Sequence, residues 1–425
     1  MNDILIANGR VIDPASGFDG AADVAIAEGV IVAVAPAGKA GKAAQTIDAA
    51  GRIVCPGLID VRVHCREPGH EEEETIATCS AAAVAGGFTT ICAMPNTHPP
   101  TDDEAAVQYV IQRAREADLA RVLPVGCITK AREGNELAEM AMMMQAGAVA
   151  FSDDGDGVAS TAVMYRAMQY AGLLEVTLMQ HCQDPALAGG HLNSGPVAVR
   201  MGLSGIAAAG EQIMLRRDLE LIERTGARYH MQHVSTAGSV KLLREAKAAG
   251  LPISAEATPH HLLLTDAACA GYDPVYKVNP PLRTAADVEA VRAGVADGTI
   301  DCLASDHAPH AAEEKELEFG LAPFGMTSLE CALGLYVKAL IGTKVLDWPA
   351  LIAAMTVHPA RAIGQPLGTL SVGAPADVTV IDPRKRWTVR ADRFLSKSRN
   401  CPYDGWSLKG RAVVTIVGGK VKHAL

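Results

Sequence analysis

GLIDVRVHCREPG, residues 57–69, starts as an apolar run and ends in a proline–glycine turn. Alternation along the run sets Val61 and Val63 on one side and Arg62 and His64 on the other. A helical pattern follows: EEEETIATCSAAAVAGG (71–87) opens on acids and closes on glycines, as the helix dipole and a left-handed C-cap favour. This strand-then-helix unit recurs. FTTICAM (88–94), RVLPVGC (121–127), AVAFSD (148–153), EVTLMQH (175–181), RYHMQH (228–233), PISAEA (252–257) and DCLASD (301–306) are each strand-like and each lead into helix. Eight such units predict an α/β fold, a closed parallel (β/α)8 TIM barrel spanning 56–364. An open doubly wound sheet would more naturally carry a glycine-rich phosphate turn after its first strand, and no G-x-G-x-x-G is present.

The ends of the chain have a different texture. Residues 1–55 (ILIANGRVID, ADVAIAEGVIVAVAP) and 365–425 (GTLSVGAPADVTVID, KGRAVVTIVGGKVKHAL) read as short strands with turn signals. Neither end is long enough for its own core, so a small β-sandwich domain built from both termini is expected.

The 425 residues are 49% hydrophobic, with a net charge of −10, which argues against nucleic acid or an anionic membrane as partner. The first residues lack the basic, apolar and cleavage regions of a signal peptide, and no apolar run reaches membrane-spanning length. Ten cysteines are scattered without a C-x-x-C pair and fit core packing in a reducing compartment, so a cytoplasmic location is expected.

A parallel barrel places its chemistry at the C-terminal ends of the strands. In order those ends carry His64, Asn96, Cys127, Asp153, His181, His233, the Pro259-His260-His261 turn and Asp306. Three histidines and two aspartates on one rim would be costly to bury without a cation. Imidazole with carboxylate suits zinc or a similar divalent ion, and an open position on such an ion acidifies water for hydrolysis. Asp306, closing the eighth strand, is placed to move the proton.

The motifs read so far, with HCREPG (64–69), GGFTTICAMPNT (86–97), FSDDG (151–155), QHCQD (180–184), QHVST (232–236), TPHHLLLTD (258–266), KVNPPLR (277–283), SDHAPH (305–310), EEK (313–315) and APFGMTSLE (322–330), resemble the class I dihydroorotases of the amidohydrolase superfamily over essentially the whole chain. The resemblance implies reversible cyclisation of N-carbamoyl-L-aspartate to L-dihydroorotate in pyrimidine synthesis. It implies His64, Asp153, His181, His233 and Asp306 as ligands of one or two zinc ions, with Asp306 also the catalytic acid/base. Arg66 and Asn96 would hold the substrate carboxylate, while Asn279, His310 and the backbone at Phe324 and Gly325 would meet the ring. A homodimer is the family expectation. Hydantoinases and allantoinases of the superfamily bridge two metals with a carboxylated lysine on strand four; AGAVAFSDDGDGV (146–158) contains no lysine, which favours dihydroorotate over hydantoins.

One position departs from the family, whose first strand normally ends His-x-His. Here the first histidine is Arg62, which has no lone pair to give a metal. Two expectations follow. In one, Arg62 replaces the first metal electrostatically, pairing with Asp306 or Asp153, and a single ion binds Asp153, His181 and His233, with His64 a weak ligand or one step removed. In the other, the chain is a non-catalytic structural partner of aspartate transcarbamoylase. His98, His191, His230 and His423 read as surface or loop residues, His358 as structural, and the acids 71–74 as a solvated helix start.

Overall fold

The computed structural model describes residues 2–425. All eight expected strands form, in the order of the sequence and all parallel: Leu58–Val63, Phe88–Ala93, Arg121–Gly126, Ala150–Phe151, Thr177–Gln180, Tyr229–Met231, Ile253–Ala257 and Cys302–Leu303. The barrel closes through a parallel bridge between Val63 and His307, and the His64 amide donates to the His307 carbonyl at 2.9 Å. An apolar cluster drawn from the first five strands, with Ala304 just past the eighth (Ile59, Val61, Cys92, Val125 and Met179 among its members), fills the interior. The helix Val357–Ala362 covers its N-terminal end, where the His358 Nδ1 meets the Asp301 carbonyl at 3.0 Å, the structural role expected for that histidine.

Two local readings of the first unit need correction. The pairing of the first two strands shifts register between Asp60 and Val63, so Val61 joins the inner cluster and Val63 the outer one. A bulge of this kind re-aims side chains that strict alternation would fix. The helix begins at Ile76, capped by Thr75 through a reciprocal pair with Thr78, and has no acid in its first turn. Glu73 and Glu74 are instead buried ahead of it. The other end is as read: Gly87 closes the helix at φ 95°, a left-handed position that glycine takes without a Cβ clash.

Strands from both termini share one mixed sheet of eight. Its order runs Lys420–Ala424, Ser407–Val417, Val378–Thr388, Ile53–Pro56, Asn2–Asp13, Phe18–Ala27 and Val30–Ala35, with Ala43–Asp48 beside Asn2–Asp13. Ile4, Val24, Val54, Val378, Val414 and Ile416 belong to a single core, so neither terminus completes it alone. All ten cysteines are buried and free. No helix among the described residues is long and apolar enough to cross a membrane.

Candidate active site

Arg62 sets the electrostatics of the barrel mouth. Its side chain is 2% exposed and donates from Nη2 to Asp154 Oδ1 at 2.6 Å. Its Nη1 lies 3.2 Å from Asp306 Oδ1, and its Nε lies 4.0 Å from Glu256 Oε1. His64 Nε2 faces the same two aspartates, 3.4 Å from each, and its Nδ1 is held by Asn96 Oδ1 at 2.9 Å. Burial alone would raise Asp306, but the Arg62 charge, with His64 and His260 nearby, brings it below the ordinary carboxylate range. Asp154 is likewise lowered against its burial by Arg62, His64 and His181.

The aspartate that faces this cluster is Asp154, not Asp153. Asp153 turns its Oδ1 to the amides of Ile128 and Thr129 at 2.9 and 3.0 Å, and its Oδ2 accepts from the Thr129 hydroxyl. It therefore pins the loop after the third strand. Alternation carries the signal that separates the two: Ser152 bonds inward to Gln232, so Asp154, two residues on, also points inward. Asp154, His181 and His233 present donor atoms within 4.8 Å of one another. His181 Nδ1 and His233 Nε2 stand 2.8 Å apart, while His181 Nε2 meets Gln183 Oε1 at 3.0 Å. That bond, reinforced by a reciprocal Gln183–Asn279 pair at 2.8 and 3.0 Å, orients His181 so that Nδ1 faces the cluster. Burial lowers the His181 pKa, which favours the neutral, metal-ligating ring.

Above the cluster lies a cavity of about 300 Å³, lined by Arg66, Asn96, Asn279, His310 and residues 323–325 together with Asp154 and Asp306. The expected substrate contacts thus converge on one space. Arg66 Nε donates to the Pro309 carbonyl at 3.0 Å and forms an ion pair with Glu73 Oε2 at 2.8 Å, and its Nη2 lies 3.1 Å from His310 Nε2. The Phe324 carbonyl is already bonded to His310 Nε2 at 2.8 Å, and the Gly325 amide donates to the Lys277 carbonyl at 2.9 Å. Burial, and then the Arg66 charge, pushes His310 down to about 2, so its ring is neutral.

Three functional neighbours were not singled out in the sequence. Glu256, fully buried on the seventh strand, accepts from the His233 amide at 3.2 Å and pairs with His230 Nε2 at 3.1 Å. His230 is accordingly a buried interior residue, which corrects its reading as a surface one. Gln183 and Glu73 are the other two. His233 and Asp306 hold left-handed backbone, φ 34° and 51°, and Arg66 does so at 63°. Non-glycine residues in that region cost about 1–3 kcal/mol each, which the surrounding bonds offset.

Arg62 thus stands as one permanent positive charge among the carboxylates of Asp154, Asp306 and Glu256. Asp154 Oδ2 is buried and without a hydrogen-bond partner, so it is free to meet a metal ion.

Residues 51–239 match the family model described as Dihydro-orotase-like. The dihydroorotase of Pelotomaculum thermopropionicum is 51% identical over 420 residues, covering 98% of each chain. Those of Geobacter sp. strain M21 (48% over 421 residues, 99% of each) and Anaeromyxobacter sp. strain K (49% over 427 residues, 100% of this chain and 98% of the other) are similarly related. Among solved structures, the L-hydantoinase (dihydropyrimidinase) of Arthrobacter aurescens superposes with a TM-score of 0.88 at 27% identity, covering 100% of this chain and 96% of its own. The chain belongs to the dihydroorotase family.

Proposed function

We propose that this chain is a dihydroorotase interconverting N-carbamoyl-L-aspartate and L-dihydroorotate with one zinc ion. The observation that carries the reading is the convergence of Arg66, Asn96, Asn279 and His310 on one cavity with Asp154, His181 and Asp306. The names of relatives about half identical over nearly the whole chain support the substrate. Asp154, His181 and His233 would hold the ion, in place of the larger set that included His64, Asp153 and Asp306. Bound there, zinc would supply a water acidified to near-neutral pKa.

Asp306 acts as the acid/base. Arg62 keeps it ionised, so it begins ring opening as the acceptor of the water proton and then delivers that proton to the departing ring nitrogen. The same pairing makes it a weaker base, which the fixed position of its carboxylate offsets through proximity. Arg66 keeps its Nη1 and Nη2 groups for the substrate carboxylate, since Pro309 and Glu73 take only its Nε. Asn96, tied to His64 by its oxygen, offers its amide N–H groups to the same carboxylate. Arg62 pairs with both aspartates and, having no lone pair to give, takes no ion.

The test is ring opening of L-dihydroorotate by the zinc-loaded protein, followed by loss of ultraviolet absorbance, with Asp306→Asn as control. Turnover abolished in the control is expected. Absence of turnover at every metal loading would overturn the reading and leave a non-catalytic partner of aspartate transcarbamoylase as the alternative.

A further inference from the structure

Two lysines stand behind the cavity wall with no acid as partner. Lys277, 3% exposed, donates from Nζ to the carbonyls of Gly320 at 3.1 Å and Ala322 at 2.6 Å. Lys315, half-buried, donates to Pro274 at 3.1 Å and Pro323 at 2.7 Å. Neither forms a salt bridge among the described residues, so four backbone carbonyls are what hold these cations out of water. Three of the four belong to residues 320–323, which lead directly into the Phe324 and Gly325 wall of the cavity. The Lys277 Nζ also lies 4.7 Å from the centre of the Phe324 ring, a cation–π contact on the same wall. Gly325 itself has little freedom: at φ +143° a Cβ would stand 2.8 Å from both Ala308 Cβ and His310 Nε2.

We infer that Lys277 and Lys315 are positioning residues that latch residues 320–325 against the cavity, and that Lys315 letting go of its two carbonyls opens that wall for substrate exchange. The inference rests on the proposed activity only for the identity of what is exchanged. Lys315 lies at the EEK motif and Lys277 at the start of KVNPPLR, neither of which the acid/base chemistry uses. Burial, then the charges of Lys277 and Arg66, pulls Lys315 down to about 7, with Glu314 and Asp273 opposing and His310 on the same side of the wall. A neutral amine donates more weakly than an ammonium, so the latch loosens as pH rises past neutrality.

Hydrogen–deuterium exchange reads this without any need for turnover. The amides of Leu321 and Ala322 donate to Glu318 and that of Gly325 to Lys277, so the segment has protection to lose. After correction for the intrinsic rate, their exchange in the wild type should rise between pH 6 and pH 8.5. Lys315→Met should exchange about tenfold faster at these amides at pH 6, with barrel strands unchanged and no further pH response, since two charge-assisted bonds are lost. Lys315→Arg, which stays charged, should remain protected across the range. Lys277→Met should loosen the same amides, which keeps the test readable if one methionine variant folds poorly. If turnover is present, the methionine variants should raise KM for dihydroorotate more than they change kcat. Wild-type exchange at these amides in both methionine variants would overturn the latch, whatever the outcome for activity.

Discussion

Replacing Arg62 by methionine removes a buried cation while preserving length and most of the volume. It leaves Asp154, fully buried, and Asp306, 6% exposed, without the guanidinium that lies 2.6 and 3.2 Å from them. Removing one partner of a buried ion pair typically costs about 3–5 kcal/mol, because the remaining charge is uncompensated. Against a total stability of about 5–15 kcal/mol, that is a large fraction. In chelator, chemical denaturation should therefore show Arg62→Met less stable by about that amount. Arg62→His should behave similarly in chelator but recover with zinc, because an imidazole gives the two aspartates and His64 a further ligand. A second ion present at a hundred times its dissociation constant contributes about 2.7 kcal/mol, so the zinc-dependent gain should exceed the wild-type gain by about that much. Wild-type stability of Arg62→Met in chelator would refute the argument that this cation neutralises the centre.

Other substitutions separate roles that the structure assigns to adjacent residues. Asp154→Asn should lose zinc on gel filtration, whereas Asp153→Asn should retain it and lose about 1–3 kcal/mol of stability as the Thr129 bond to Oδ2 fails. Metal analysis of the two proteins checks this, and the reverse pattern would restore Asp153 as the ligand. Arg66→Lys should raise KM roughly ten- to a hundredfold, since lysine cannot offer a two-pronged carboxylate contact, and steady-state kinetics read it directly. Burial pushes Glu330 up to about 7 in the folded chain, against about 4.3 when unfolded. The folded chain thus keeps a proton that the unfolded chain has released, and this group's contribution to stability falls as pH rises between those values. Glu330→Gln keeps the Oε1 acceptor for the Leu395 and Ser396 amides, so its unfolding midpoint should match wild type near pH 5 and exceed it at pH 8.

All eight barrel strands are legible in the sequence because each is an apolar run with its own helix after it, and strand ends follow from that. The convergence of His64, His181, His233 and Asp306 comes with the barrel's topology. The choice between Asp153 and Asp154 is less accessible, because the fourth strand is only two residues long and its end is not set by hydrogen bonding alone. Resemblance favoured the first aspartate; the inward bond of Ser152 decides for the second. Glu256 and His230 look like ordinary strand residues in PISAEA and RYHMQH, since a buried polar pair deep in a barrel leaves no composition signal. Glu73 reads as one acid in a solvated run, and only the fold brings Arg66 back to meet it. The bulge at Asp60–Val63 is invisible to a period-two reading, yet Arg62 still reaches both aspartates through the length of its side chain.

The central claim is that Arg62 stands where a second ion would otherwise be needed. The most direct measurement is the zinc content of the wild-type protein, loaded with excess metal and then freed of loosely held ions, by elemental mass spectrometry. The account predicts one ion per chain, lost in Asp154→Asn and raised to two in Arg62→His. Two tightly held ions in the wild type would contradict it.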